Sequence, residues 1–347
     1  MRAFFLTSLL LVAATMPSGA ASTLRESGST LMYPLITTWA QAYSNNPENV
    51  QIETQSTGSG QGVADVISGT AQLGVTDAYA IDTTGAPGPL LQIPLAISAV
   101  QVNYNLPEAA GTHLRLTGEL LAAIYSGAIR FWDDAAIREL NPTLPRALPH
   151  EEIITYHRRD SSGTTFVFTQ FLSESSSAWK AGPGFANQIH WPAGSLGYGV
   201  VGNAGVFHAC EAMPYSIGYM GVSYRNRTDA AGLGYAAIKN AAGAFVLPTP
   251  ATIRAAAYAL LPFTPDGARI ALINAPGDTS YPIANYEYAI VREHQEDSQT
   301  ADALTKFLLW TLARDGGSAD SFLNWINFSA LPANIREMAV VEIHRIR

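Results

Sequence analysis

Lysine is almost missing from this chain: Lys180, Lys239 and Lys306 are the only three in 347 residues. That argues against an exposed lysine-lined groove for phosphates. The 20 basic and 28 acidic residues leave a net charge of −8, so the bulk field repels nucleic acid and anionic membrane. Any anion this protein binds must be held by a local, dry, hydrogen-bonded pocket. Cysteine is also scarce. Cys210 stands alone, which rules out an internal disulfide and reads as a small buried hydrophobe. Outside residues 3–14 no apolar run approaches the ~20 residues needed to span a bilayer.

Catalytic and cofactor motifs are missing too. There is no Gly-x-Ser-x-Gly elbow and no Gly-Lys-Ser/Thr phosphate loop. Gly58-x-Gly60-x-Gly62 lacks the full dinucleotide spacing, and its plain reading is a flexible turn before a short helix. Seven scattered histidines form no His-x-x-x-His pair. The expectation is a protein that is not an enzyme, with no catalytic residues, no metal site and no cofactor.

What is present begins with a leader. Met1-Arg2, the apolar residues 3–14 and the small run Ser18-Gly19-Ala20-Ala21 predict a secretory signal peptide, cleaved after Ala20 or Ala21. No cysteine lies near that site to carry a lipid, so a free periplasmic protein is expected. Removing Arg2 leaves 19 basic against 28 acidic residues, net −9. About 326 residues remain, enough for two domains.

Alternating strand and helix signals predict α/β layers with mainly parallel strands. Residues 50–54 and 71–77 read as strands, the second ending at Asp77, where open α/β sheets place ligands. Residues 93–106 and 280–291 read as long extended runs that cross between domains. Residues 301–310 predict an amphipathic helix, and residues 322–328 a second.

Three turns rich in Gly, Ser and Thr open helices. Ser27-Gly28-Ser29-Thr30 precedes a helix over residues 31–43, and Thr57-Gly58-Ser59-Gly60-Gln61-Gly62 one over 63–67. The third is His157-Arg158-Arg159-Asp160-Ser161-Ser162-Gly163-Thr164-Thr165-Phe166, between the strand-like 153–156 and the helix-like 165–172. Free N–H groups at a helix start carry partial positive charge and suit an oxyanion, though one such turn alone is equally an ordinary N-cap. Strand alternation puts Arg158 and Asp160 on one face and His157 and Arg159 on the other. Three such turns suggest helix N-termini converging on one anion.

In this order the turns, with Gly74-Val75-Thr76-Asp77, resemble the periplasmic phosphate-binding proteins, the substrate-binding components of the phosphate-specific ABC importer. Leu116-Thr117-Gly118-Glu119-Leu120, Ile124-Tyr125-Ser126-Gly127, Phe131-Trp132-Asp133-Asp134, Leu140-Asn141-Pro142, Ser216-Ile217-Gly218-Tyr219 and Leu331-Pro332 extend the resemblance over nearly the whole mature chain. It implies an α/β, two-domain periplasmic binding protein fold with hinge-linked lobes and central mixed sheets. Lobe I would be residues 22–96 and 281–347, and lobe II residues 97–280, after a leader over 1–21. It also implies a phosphate ligand set: Thr30, Leu31 through its N–H, Ser59, Asp77, Arg158, Asp160, Ser162, Gly163 and Thr164. The implied function is high-affinity capture of inorganic phosphate for the permease subunits of an ABC transporter, by a monomer, without nucleic acid. The alternatives are a carrier of another tetrahedral oxyanion (sulfate, molybdate or arsenate) or a phosphate-ester hydrolase.

Asp77 is the discriminator among oxyanions. A carboxylate beside an anion makes sense if it accepts a proton the ligand carries, and protonated phosphate carries one where sulfate does not. The sequence departs from the family pattern at Leu31, where Phe is usual, and at Asn203-Ala204-Gly205, which lacks an acidic residue. Glu26 replaces a small residue, and its carboxylate would either face solvent or weaken anion binding.

Overall fold

The computed structural model describes residues 22–44 and 50–347; the expected leader lies outside the described residues. Among these, no helix is long and apolar enough to cross a membrane. The chain opens with β1 (Ser22–Gly28), β2 (Val50–Ser56) and β3 (Leu73–Thr76), in the spatial order β2-β1-β3, all parallel. The helix Tyr33–Tyr43 joins the first two and Ser59–Ser68 the second pair. In the first helix Pro34 sits in the opening turn, where its missing N–H costs nothing, and Leu35, Ile36, Trp39, Ala40 and Tyr43 make one buried stripe. Tyr43 packs 5.1 Å from Phe307 and 5.3 Å from Trp310.

A sixteen-residue strand, β4 (Leu90–Asn105), follows, buried along its whole length except at its ends. After β5 (Arg115–Leu116) comes a second parallel block: β6 (Ile154–Arg158), β7 (Leu196–Val200) and β8 (Ser216–Gly221), in the order β8-β6-β7. The short strands β9 (Gly234–Tyr235), β10 (Ala237–Lys239), β11 (Phe245–Val246) and β12 (Leu272–Ile273) lead to β13 (Ile283–Arg292).

The main path of the large sheet is β2-β1-β3-β13-β4-β8-β6-β7. Its centre is antiparallel: β13 pairs antiparallel with β3 and β4, and β4 pairs antiparallel with β8. The expectation of mainly parallel strands therefore holds only within each block. Local strand–helix alternation sets the blocks, whereas β4 and β13, which carry the chain between them, run against their neighbours. β4 changes partner along its length, pairing with β13 up to Ala99 and with β8 from Val100. The two long extended runs read from the sequence are these central strands.

Other elements differ from expectation. The helix after β2 begins at Ser59, so Gly60 and Gly62 lie inside it instead of in a turn. A Cβ on Gly62 would stand 2.6 Å from Gly28 Cα, so close packing on β1 offsets the ~1 kcal/mol that glycine costs a helix. The helix Ser298–Leu312 matches the predicted 301–310 segment. Residues 322–328 form no second amphipathic helix, only the four-residue turn Asp320–Leu323 and a 3-10 turn, Asn324–Ile326. The helix Ala333–Ile343 was not anticipated.

Glu26 does not face solvent. It sits in β1 on the face of buried Leu24 with 1% exposure, and neither carboxyl oxygen has a hydrogen-bond partner. Burial pushes its carboxyl well above the ordinary 4.5. The folded chain thus holds a proton that the unfolded chain releases above about pH 4.5, so stability falls as pH rises, by about 1.4 kcal/mol per unit while the difference persists. Glu26→Gln should unfold at a higher temperature than wild type at pH 8, with the gap closing towards pH 4.5. A gap independent of pH in thermal melts would count against the buried acid.

Candidate functional site

The site forms where turns from the two parallel blocks meet beside the central strands. The helix Gly163–Ser175 starts soon after β6 ends at Arg158, because Ser162 is extended and its hydroxyl accepts from the Thr165 N–H at 3.2 Å. That cap leaves the Gly163 and Thr164 amides pointing out of the helix end. Gly163 is wedged against the other block: a Cβ there would stand 2.7 Å from Ser59 Oγ and 2.8 Å from the Asp77 nitrogen. Only glycine fits. The Gly60 N–H donates to the Ser161 carbonyl at 3.1 Å, closing one turn directly on the other.

Asp77 leaves the end of β3 almost fully buried. Its Oδ1 accepts from the Ser29 hydroxyl, and its Oδ2 from the Thr164 hydroxyl at 2.7 Å, so donors from both blocks reach one carboxylate. The Leu31 and Met32 amides both donate to Ser29 Oγ at 3.1 Å. Thr30 Oγ1 accepts from the Asn203 amide and side chain at 3.0 and 2.7 Å. The Leu31 side chain packs on Gly221, and its carbonyl accepts from Ser223 Oγ at 2.7 Å.

Arg158 ends β6 with its side chain 1% exposed and grips Asp160 through Nε, at 2.8 Å to Oδ1, and through Nη2 to Oδ2. This leaves N–H groups of the guanidinium free to take another anion. Asp160 Oδ1 also accepts from the Gly202 amide at 3.1 Å, and Tyr219 OH accepts from the Arg158 amide at 3.1 Å. Asp160 lies past the end of the strand, so its pairing with Arg158 follows from the turn as well as from strand alternation. Across the strand, His157 stacks on Trp191 with centroids 4.5 Å apart, and burial lowers its pKa to about 4. Arg159 is exposed.

Electrostatically the site balances one buried cation against several acids. Burial raises the Asp77 carboxyl above its ordinary 3.8, while Ser29, Thr164 and the Arg158 charge pull it down. Asp160 is held below 3.8: burial acts upward, and the Arg158 hydrogen bonds and charge outweigh it. Glu287, in the middle of β13, is driven well above 4.5 by burial and by neighbouring Asp77. The arrangement can surround a small anion with hydroxyls, helix-start amides and one guanidinium, while Asp77 offers an acceptor to a ligand hydroxyl.

All nine residues named from the sequence lie in this cluster, though in unequal parts. Thr30 is already engaged by Asn203, and the hydroxyl on Asp77 from that turn belongs to Ser29. Ser29, Asn203, Tyr219 and Glu287 were not identified from the sequence. Glu287 had a signal: with Asn285 it is one of two strongly polar residues, spaced two apart, in the otherwise apolar and aromatic stretch of β13 before Arg292.

Two α/β blocks joined through central strands, with their turns meeting at one buried polar site, define a protein of the PBP superfamily, and the model of the PBP superfamily domain matches residues 13–315. The chain is 35% identical over 309 residues to the phosphate-binding protein PstS of Methanocaldococcus jannaschii, covering 83% of this chain and 78% of that one. It is 32% identical over 326 residues to PstS of Haemophilus influenzae, covering 94% of each. With these relatives, the chain belongs to the PstS family of phosphate-binding proteins. Its fold is also that of the solved high-affinity periplasmic phosphate-binding protein PfluDING, with a TM-score of 0.71 at 20% identity over 92% of this chain and 93% of that one. A phosphate-binding protein from Stenotrophomonas maltophilia gives 0.63 at 18% identity, over 92% and 94%.

Proposed function

We propose that this protein captures inorganic phosphate in the closed cleft and delivers it to the permease subunits of an ABC importer. The observation that carries this reading is the convergence on buried Asp77 of donors from both blocks, beside the Arg158–Asp160 pair. Burying a doubly charged anion costs many kcal/mol unless every oxygen is satisfied, and each charge-assisted hydrogen bond returns roughly 1.5–3 kcal/mol. Ser59, the Gly163 and Thr164 amides, the Ser162 and Thr30 hydroxyls and free N–H groups of Arg158 are the proposed donors, and the Leu31 N–H joins them on leaving Ser29 Oγ, while the Thr164 hydroxyl holds Asp77. Asp160 orients the guanidinium, and Asp77 accepts from the ligand's P–OH.

The lobes of the reading are residues 22–96 with 281–347, and residues 97–280. The partner change of β4 at Ala99/Val100 supports the first crossing, and the Tyr281 hydroxyl bond to the Val100 carbonyl, 2.9 Å, lies beside the second. Hinge closure about these crossings assembles the site. The mature protein works as a monomer in the periplasm, and it turns nothing over. Thermal melts of ligand-stripped protein with phosphate, sulfate, arsenate and molybdate test this. At ~100 times the dissociation constant phosphate should stabilise by about 2.7 kcal/mol, and sulfate should not. No response to phosphate, or an equal response to sulfate, would overturn it.

A further inference from the structure

The Asp77 carboxylate has a second buried acid directly beside it. β13 runs antiparallel to β3 with Tyr288 opposite Thr76, so one step further brings Glu287 opposite Asp77. Residues directly opposite stand about 5 Å apart at Cβ, so the two buried acids are neighbours, and each bears on the protonation of the other. The register of β13 on β4 shifts at this point: Glu287 faces Ala96 while Tyr288 faces Pro94. Pro94 offers no N–H to the ladder, and the irregularity it accompanies aims Glu287 at the site.

The hydrogen bonds to Glu287 are one-sided. Ser98 Oγ and Asn285 Nδ2, the latter at 2.9 Å, both donate to Oε1, while Oε2 is buried without a partner. Asn285 Nδ2 also reaches the Asp77 carbonyl at 3.4 Å, which ties the two residues into one unit. An ionised carboxylate offers about four acceptor positions. On Asp77 the Ser29 and Thr164 hydroxyls take two, leaving two. We propose that Glu287 carries a proton on Oε2 and donates it to Asp77, so that Asp77 stays the ionised acceptor on which discrimination between protonated and unprotonated oxyanions depends. The last acceptor position is then for the ligand's P–OH. Glu287 is a positioning residue, and the inference rests on the phosphate reading above.

The proton belongs on Glu287 because the surroundings divide unequally. Arg158 from β6 acts on Asp77, as do the Ser29 and Thr164 hydroxyls, whereas Glu287 has neutral Ser98 and Asn285 and the weak acid Tyr288. Two adjacent buried carboxylates do not both ionise, and the one with fewer favourable partners keeps the proton. Without Glu287, buried Asp77 would itself take up a proton as pH falls, become a donor, and admit sulfate.

The test is titration calorimetry with inorganic phosphate and with sulfate, from pH 5 to pH 8, on wild type, Glu287→Leu and Glu287→Gln. Glu287→Leu should lose about tenfold or more of its phosphate-over-sulfate preference at pH 5, and progressively less as pH rises. Glu287→Gln keeps a neutral donor and should restore most of it. A preference in Glu287→Leu equal to wild type at every pH, or no rescue by Glu287→Gln, overturns the inference. Infrared spectra at pH 8 give a readout that does not need phosphate: Glu287→Gln should lose one protonated-carboxyl band and keep that of Glu26. Unchanged bands overturn the inference even if Glu287→Leu fails to fold. A wild type that ignores phosphate overturns the phosphate reading instead, and the infrared result still judges the pair.

Discussion

Asp77→Asn is expected to admit sulfate. The carboxylate presents only lone pairs, so a fully ionised tetrahedral anion meets repulsion where a P–OH meets an acceptor. Sites built on one ligand hydroxyl reject analogues lacking it by ~10⁴–10⁵-fold. An asparagine amide turns its NH₂ to sulfate as readily as its carbonyl to phosphate, so the preference should fall by roughly 100-fold or more. Most of that change should come from tighter sulfate binding. Phosphate weakens less, because the Arg158 N–H groups and the helix-start amides remain. Competition calorimetry of the two anions measures the ratio directly. A ratio equal to wild type would remove Asp77 from any role in selection and reduce it to a cap on the Ser29 and Thr164 hydroxyls.

Arg158→Ala should be the most damaging substitution in the cleft. The guanidinium is the buried cation of the site, and its loss strands Asp160 with a single amide donor, Gly202. Breaking such a pair costs about 3 kcal/mol in stability, and a mature anion site that loses its charged donor weakens by roughly 100- to 1,000-fold. Arg158→Lys should rescue little, since an ammonium cannot serve Asp160 and a ligand from one rigid plane. The exposed neighbour change Arg159→Ala should leave both melting and phosphate affinity near wild type. Calorimetry and thermal melts on the three variants decide it, and equal behaviour of Arg158→Ala and Arg159→Ala would refute the assignment.

The residues readable in advance were those whose chemistry is local. Ser162 caps its own helix, Asp160 sits two residues from Arg158, and Asp77 ends its own strand, so composition and spacing over a few positions expose them. The partners that escaped are distant in sequence: Asn203 lies 173 residues from Thr30, and Glu287 lies 189 from Ser98. No short-range pattern joins such pairs. The starting point of the helix at Ser59 escaped for a related reason, since glycines that disfavour a helix locally are favoured where β1 passes too close for any side chain. The Ser29–Thr30 exchange has the same origin: both hydroxyls belong to one turn, and only the second block decides which faces Asp77.

By itself, the sequence determined the α/β class, the capped helix starts, the acidic balance that confines anion binding to a dry pocket, and the family likeness. Each follows from residues near one another or from bulk charge. Tertiary structure alone decided that the central strands run antiparallel, that Glu26 is buried, and that Glu287 stands against Asp77. These depend on strand register and on packing between segments far apart in the chain, which no local propensity encodes.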